Sequence, residues 1–523
     1  ANIRTATDAI TDVPESHWSA DDYFDGDPKA PDRTYARRGG FLEPVDFPPL
    51  EFGIAPNAIE AIDTTQLLGL LVARRALEDA GYGEGRDFDR ERVSVILGVT
   101  GTLELVVPLA ARLGHPIWRR ALQSAGVDDA TADDVVRRIS SSYVGWQENS
   151  FPGLLGNVVA GRIANRLDLR GTNCVVDAAC ASSLGAVNTA LLELASGRSD
   201  IAVTGGLDTF NDIFMYMCFS KTPALSPTGE ARPFDAEADG TILGEGLGVV
   251  VLKRLADARR DGDRVYAVIR AIGTSSDGKG QAVYAPSVAG QVRALRQAYS
   301  LAGISPATVG LIEAHGTGTR VGDAIELQAL EEVYGAARPG GAWCALGSVK
   351  SQMGHTKAAA GAAGLIKAAM ALHHKVLPPT LKVRRPSERV ASGESPFYLN
   401  IEARPWLNDG SGPRRAAVSA FGFGGSNFHC VLEEAEPENA AIDWDGDVQI
   451  LAFSADDRAA IARELETLGD RPGWPEVRAA GARSRASFRP EHRHRLVIVA
   501  RRTDEDWDSL MAEARVLGER DRL

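Results

Sequence analysis

Asn173-Cys174-Val175-Val176-Asp177-Ala178-Ala179-Cys180-Ala181-Ser182-Ser183 is the stretch on which the fold of this chain turns. A β-branched run leads up to Cys180. A small-residue helical pattern, Ala181 to Leu194, leaves it, with Gly197 beyond. The reading is a strand, a sharp turn and a helix, with a thiol at the turn. Backbone N–H groups at a helix start favour an anion. A thiol there is expected to ionise readily and to attack carbonyls. The same geometry presents serine in the nucleophile elbow of α/β-hydrolases. Taken alone, the segment also suits a buried structural cysteine.

Two histidine segments add to it. In Val309-Gly310-Leu311-Ile312-Glu313-Ala314-His315-Gly316-Thr317-Gly318-Thr319, a buried-type strand runs into His315 and a Gly/Thr loop follows. In Leu346-Gly347-Ser348-Val349-Lys350-Ser351-Gln352-Met353-Gly354-His355, Lys350 ends a strand and His355 precedes a helical run from Thr356 to His374. The positive end of a helix disfavours imidazolium, so His355 is expected to be a neutral hydrogen-bond donor. Each histidine alone could be structural. Three polar groups at strand ends before glycine fit the place where α/β sheets build sites.

With these motifs the chain resembles a β-ketoacyl synthase of the thiolase fold. The matching stretches are Asp177–Ser183, Glu313–Thr319, Gly347–His355 and Phe421-Gly422-Phe423-Gly424-Gly425-Ser426-Asn427, in family order over roughly residues 1–435. The resemblance implies an α/β fold layered αβαβα with two pseudo-symmetric halves, about 1–260 and 261–435. It implies Cys180 as acyl acceptor and His315 and His355 as stabilisers of an enolate. Lys350 would organise the charge, with Glu326 as its partner. The backbone N–H groups of Cys180 and Phe423 would form the oxyanion hole, and Phe423 would also gate the pocket. Thr317 and Thr319 would bind the pantetheine arm, and Met215, Met217 and Phe219 would line an acyl tunnel. The implied reaction is decarboxylative condensation of an acyl chain on Cys180 with a malonyl unit. No bound cofactor is implied, because substrates arrive on the phosphopantetheine of an acyl carrier protein. The implied partners are that carrier, an acyltransferase and a second copy of the chain, paired through Asn173–Ala178. The alternatives are a thiolase-type acyl-CoA condensing enzyme and a non-catalytic chain-length partner. The first usually lacks the paired histidine loops, and the second typically lacks the nucleophile.

Ala179 and Ala181 depart from the Thr-Ala-Cys-Ser-Ser-Ser of ordinary modular synthases. Phe214–Ala224, the opening Asp8–Trp18 and His373–Thr380 are similar to the first ketosynthase of polyunsaturated fatty acid synthases, and heterocyst-glycolipid-type synthases share these features. An iterative synthase of long acyl chains is therefore expected. Family members usually begin with an apolar strand ahead of Asp8–Trp18, so a first strand is expected upstream of Ala1. Leu105–Gln147 reads as a helical insertion over the pocket mouth or the dimer surface. Residues 436–523 read as an acidic loop (436–447) and a small α/β unit: strand Gln449–Phe453, helix Asp457–Leu468, strand Leu496–Ala500 and helix Asp504–Ala514. This unit resembles the linker toward an acyltransferase.

Strands and helices alternate elsewhere, which argues for α/β layering. Helices are expected at Gln66–Ala80 and Ala160–Leu167. Strands are expected at Arg92–Gly98, Ile201–Gly205, Gly248–Lys253, Val265–Ile272 and Ala416–Phe423. Cys174–Cys180 and Ala416–Phe423 end alike, as the two halves of a repeat would. The net charge of −13 argues against nucleic acid. It also requires a local basic patch for an acidic carrier; Arg119-Arg120, Arg137-Arg138 and Arg259-Arg260 are the candidates. No apolar run reaches membrane-helix length and no secretory signal is evident. Five scattered cysteines without metal-ligand spacing fit a reducing cytoplasm and no metal.

Overall fold

Two mixed sheets carry the fold. The computed structural model describes residues 2–83, 85–101, 104–280, 282–408, 412–435, 447–469, 472–503 and 507–519. The first sheet orders its strands Asn173–Val176, Val93–Gly98, Ile201–Asp208, Gly246–Lys253. The second orders them Phe397–Leu399, Cys344–Gly347, Leu311–Glu313, Arg415–Gly422, Ser426–Glu434, Ala267–Ser276. In the first sheet two parallel pairings lead to an antiparallel one; in the second, three lead to two antiparallel ones, and the switch from parallel to antiparallel aligns the two sheets. Matched this way, Asn173–Val176 corresponds to Cys344–Gly347, and Ile201–Asp208 to Arg415–Gly422. The expected pseudo-symmetric halves are present, but the two similar strand ends are not partners in the repeat. The elbow strand instead corresponds to the strand that leads to His355.

Burial follows from composition. Val93–Gly98 is sealed along its whole length, as a parallel strand covered on both faces should be. Helices Ser182–Ala195 and Ala360–His374 lie between the sheets and touch both. Their Ala/Gly-rich sequences present small apolar surface over most of their circumference, which suits helices packed between two sheets and exposed only toward their C-terminal ends. Thr64–Asp79 and Val158–Arg166 cover the outer face of the first sheet, and Val288–Ala302 covers that of the second, with Arg320–Ala337 packed beside it. The result is five layers, α-β-α-β-α.

Strand Ile201–Asp208 runs past Gly205-Gly206, where the glycines had suggested an end. Gly205 serves close approach: a Cβ there would lie 1.9 Å from the Gly248 carbonyl oxygen. The run therefore extends to Asp208, paired antiparallel with Gly246. Lys350 does not end a strand. It opens the short helix Lys350–Met353, three residues after Cys344–Gly347.

The 105–147 region is helical as expected, in three pieces: Val106–Arg112, His115–Ser124 and Asp129–Ser141. Beyond Glu434 the expected loop lies, apart from Asp447, outside the described residues. Val448–Ala455 and His494–Arg501 then form an antiparallel pair. Helices Arg458–Glu466, Trp474–Ser487 and Trp507–Glu519 accompany it. Trp474–Ser487 was not anticipated. Its signals were Pro475 in the first turn and Glu476, whose carboxylate accepts from the Gly473 N–H at 2.7 Å.

Candidate active site

Cys180 sits in the single 3₁₀ turn Ala179–Ala181, between strand Asn173–Val176 and helix Ser182–Ala195. Ala179 is left-handed, with φ of 50°, an uncommon state for a residue with a side chain. Its neighbours hold it there. The Ala179 N–H donates to Asp177 Oδ1 at 3.0 Å, and the Ala178 N–H to Ser182 Oγ at 2.9 Å. Ser182 Oγ donates to the Ala179 carbonyl at 2.6 Å, and Thr100 Oγ1 donates to Asp177 Oδ1 at 3.1 Å. The end of strand Arg415–Gly422 presses on this turn: a Cβ on Gly422 would stand 2.1 Å from the Ala178 carbonyl oxygen. That contact brings the Phe423 backbone N–H to the Cys180 sulfur.

Cys180 is buried, 8% exposed. Burial pushes its pKa up to about 11, and the Lys350 charge and the Phe423 N–H offset this only in part. The expectation of a readily ionised thiol is corrected here. A helix start lowers a thiol pKa by partial charges, while removal from water penalises the thiolate more.

His315 lies two residues past strand Leu311–Glu313, and His355 two residues before the 3₁₀ turn Lys357–Ala359 that opens helix Ala360–His374. Their rings meet edge-to-face, 5.3 Å between centroids. The Phe421 N–H donates to His315 Nδ1 at 3.4 Å, and the Lys357 N–H to His355 Nδ1 at 3.1 Å. A ring nitrogen that accepts from an amide carries no proton, so each neutral ring keeps its hydrogen on Nε2. Both histidines are held well below the usual imidazole pKa, first by burial and next by the Lys350 charge. For His355 the sequence reading takes the helix start as the reason for a neutral ring; here the lowered pKa comes from burial, Lys350 and Lys357.

Lys350 is the hub. Its ammonium donates to the His315 carbonyl oxygen. Cys180, His315 and His355 each feel its charge. Glu326 does not touch it: no ion pair within 4.0 Å joins them. The Glu326 carboxylate instead accepts from the N–H groups of His315 and Gly316, both at 2.7 Å. Glu326 and Glu313 act on Lys350 through the low-dielectric interior. Asp323, one turn before Glu326 on helix Arg320–Ala337, accepts from the N–H groups of Phe234 at 2.7 Å and Gly318 at 3.1 Å. Burial raises both carboxyls to about 7. Glu313 is paired with Lys367 at 2.6 Å.

Thr317 and Thr319 are half-buried, and their hydroxyls bond each other at 2.9 Å; neither caps the following helix. The Ile213–Phe219 run is part of helix Ile213–Lys221. Phe219 stacks on Phe423, 6.2 Å between centroids, so the gate and one tunnel candidate meet. Met215 and Phe219 also pack on the cluster around Trp18 and Tyr216. Phe423 is 48% exposed. Lys357 and Asp208 escaped the sequence reading. Their signal was a lone charge in the small-residue run Lys357-Ala358-Ala359-Ala360-Gly361, and a carboxylate just past Gly205-Gly206-Leu207. Of the basic patches, Arg119, Arg137, Arg138 and Arg260 are each paired with a nearby aspartate, which weakens their attraction for a carrier.

Residues 1–258 match the N-terminal domain of β-ketoacyl synthases, 266–384 their C-terminal domain, and 386–499 the ketoacyl-synthetase C-terminal extension. A polyunsaturated fatty acid synthase polypeptide of Thraustochytrium sp. is 43% identical over 88% of this chain and 17% of its own length. The phthioceranic/hydroxyphthioceranic acid synthase of Mycobacterium tuberculosis is 38% identical over 88% of this chain and 20% of its own. The chain thus spans a fifth or less of these relatives. Among solved structures, the ketosynthase from module 6 of the Bacillus subtilis bacillaene synthase superposes with a TM-score of 0.70 at 30% identity, over 98% of this chain and 80% of that one. The oxazolomycin ketosynthase domain of Streptomyces albus does so with 0.71 at 30% identity, over 98% and 84%.

Proposed function

This chain belongs to the β-ketoacyl synthase family, and from that premise we propose that it condenses a Cys180-bound acyl chain with a malonyl unit, releasing CO2, in iterative polyketide or long-chain fatty acid synthesis. The carrying observation is the pair of neutral imidazoles with their Nε2 hydrogens unclaimed by the backbone, beside a buried thiol and a buried ammonium. In the loading step Cys180 sulfur attacks the thioester carbonyl of an acyl-phosphopantetheine. The sulfur's proton leaves with the departing thiol, and the N–H groups of Phe423 and Cys180 hold the oxyanion. Malonyl thioester then loses CO2. The electron pair left behind is an enolate, and the Nε2 hydrogens of His315 and His355 stabilise its oxygen. The enolate carbon attacks the acyl-Cys180 carbonyl, a carbon–carbon bond forms, and Cys180 departs as thiolate. Lys350 fixes the His315 backbone and supplies the positive field. Thr317 and Thr319, on the loop between His315 and helix Arg320–Ala337, are proposed to hold the pantetheine arm.

The proposed partners are an acyl carrier protein, an acyltransferase that follows the 436–523 linker, and a second copy of the chain. Among the described residues, Asn173–Val176 is an edge strand bonded only to Val93–Gly98, which supports pairing across a two-fold. The cytoplasm is proposed because all five cysteines are free thiols. No helix among the described residues is long and apolar enough to cross a membrane.

Intact-protein mass spectrometry with acyl and malonyl thioesters tests the reading. Cys180 gains the acyl mass in the native chain and Cys180→Ala does not. His315→Ala still loads but loses about 100-fold or more in decarboxylation, the scale for removal of an oxyanion donor. Condensation by Cys180→Ala would refute the assignment.

A further inference from the structure

Next to His355 lies a buried ion pair that the steps above do not use. Lys357 Nζ stands 3.1 Å from Asp208 Oδ1 and donates to the Gly244 carbonyl oxygen at 2.8 Å. The two side chains are 7% and 5% exposed. We propose that the Lys357–Asp208 pair is the positioning device that keeps His355 a neutral Nε2–H donor, and so sets the pH range of decarboxylative condensation; this rests on the condensing-enzyme reading.

Lys357 is left-handed, with φ of 47°, where glycine would be free of strain and lysine is not. That conformation goes with the Lys357 N–H that donates to His355 Nδ1. The ammonium's two anchors hold the residue in this state. Asp208 grips the same turn again, because its Oδ2 accepts from the Ala358 N–H at 3.3 Å. The strand end of one half thereby fixes the helix start of the other.

The ammonium's other anchor also brackets His355. The Gly244 N–H donates to the His355 carbonyl at 3.0 Å, and the His355 N–H donates to the Ile242 carbonyl at 2.6 Å. The lysine head and the histidine backbone are thus held by one segment, Ile242–Gly244.

The pair also acts through its charges. Lys350, His315 and Cys180 share the site with His355, and Lys357 and Asp208 also act on Cys180, in opposite senses. Glu245, next to Gly244, is held by His17 at 2.9 Å and by the Leu42 N–H at 2.9 Å. Lys350 and Lys357 both disfavour imidazolium. Without Lys357 the buried Asp208 carboxyl is pushed further up, and its ionised fraction favours imidazolium. The two changes act in one direction. Imidazolium places a hydrogen on Nδ1, facing the Lys357 N–H donor, and the orientation is lost. Activity therefore falls as pH drops through the His355 pKa, and losing Lys357 moves that fall to higher pH.

The experiment compares the native chain with Lys357→Met, Lys357→Gln and the double variant Lys357→Met/Asp208→Asn. Cys180 acylation is read by intact mass, and malonyl decarboxylation and condensation by product, across pH; thermal unfolding reports folding. Lys357→Met is expected to lose tenfold or more in condensation at neutral pH, with acylation falling several-fold less, because Lys357 is a minor cause at Cys180. Its acidic limb moves up by about one pH unit, the scale for loss of a neighbouring charge. The double variant, again neutral, returns the limb toward native while the rate stays low. Lys357→Gln keeps donors for Gly244 and Asp208 without the charge, and carries the same limb test if Lys357→Met does not fold. A folded variant with an unmoved limb, or acylation and condensation falling together, overturns the proposal. A native chain that neither acylates nor decarboxylates defeats the condensing-enzyme reading instead.

Discussion

Cys180 shows how burial and position oppose one another at a single residue. A strand-turn-helix junction offers its partial positive charge, yet the sulfur is sealed and its pKa stands at about 11. The resting thiol is therefore protonated at neutral pH, and attack needs its proton removed as the thioester arrives. Its alkylation by iodoacetamide should rise about tenfold per pH unit from 7 toward 10, because the thiolate fraction does so below the pKa. Intact-mass kinetics across that range would measure it, and a plateau below pH 8 would show a lower pKa. The same contest settles the histidines in the other sense. Burial and the Lys350 charge both oppose imidazolium, so these rings donate rather than carry charge.

Helix Ile213–Lys221 divides its duties along its length. Tyr216 is fully buried, and its hydroxyl donates to the Arg38 carbonyl at 3.0 Å. Met215 packs on the same cluster, whereas Phe219 also reaches Phe423 beside Cys180. Substitutions here should separate core from tunnel. Met215→Trp overfills a packed cluster and should cost about 1–3 kcal/mol of stability. Phe219→Trp is expected to reduce loading of the longest acyl thioesters about tenfold or more while acetyl loading stays within threefold, the scale of a few methylenes excluded from an apolar pocket. A thioester ladder read by mass, with thermal unfolding alongside, tests both. Equal loss of all substrates from Phe219→Trp would make it a core residue. Met217, half-buried and outside that cluster, would then be the remaining tunnel candidate on this helix.

Across the whole molecule, the open edge at Asn173–Val176 adjoins the elbow. Cys174, Val175 and Val176 are only half-covered by the chain itself. An apolar edge strand left open invites pairing, and a two-fold partner would satisfy it and stiffen the turn at Cys180. Light scattering at micromolar concentration should report a dimer. Asn173→Lys, which places a charge at the exposed start of that edge, should shift it to monomer and reduce Cys180 loading with it. A fully active native monomer would refute the arrangement.

The motifs around Cys180, His315 and His355 were legible because each is local: a strand period, a helix period and the glycines between them. The alternation of elements likewise fixed the layered class, since a β-branched run and an Ala-rich run have few ways to bury their faces. What the sequence could not supply depends on contacts between residues far apart in the chain. Gly205 looked like a strand end until Gly248 came within reach of its absent Cβ. Glu326 looked like a counter-ion for Lys350, and in the fold it holds the backbone at His315 and Gly316 instead. Asp208 and Lys357 are 149 residues apart and form a pair only because one half's sheet end meets the other half's helix start. The Cys180 pKa belongs here too, because local pattern gives the helix start but only the packed interior decides how much water the sulfur loses.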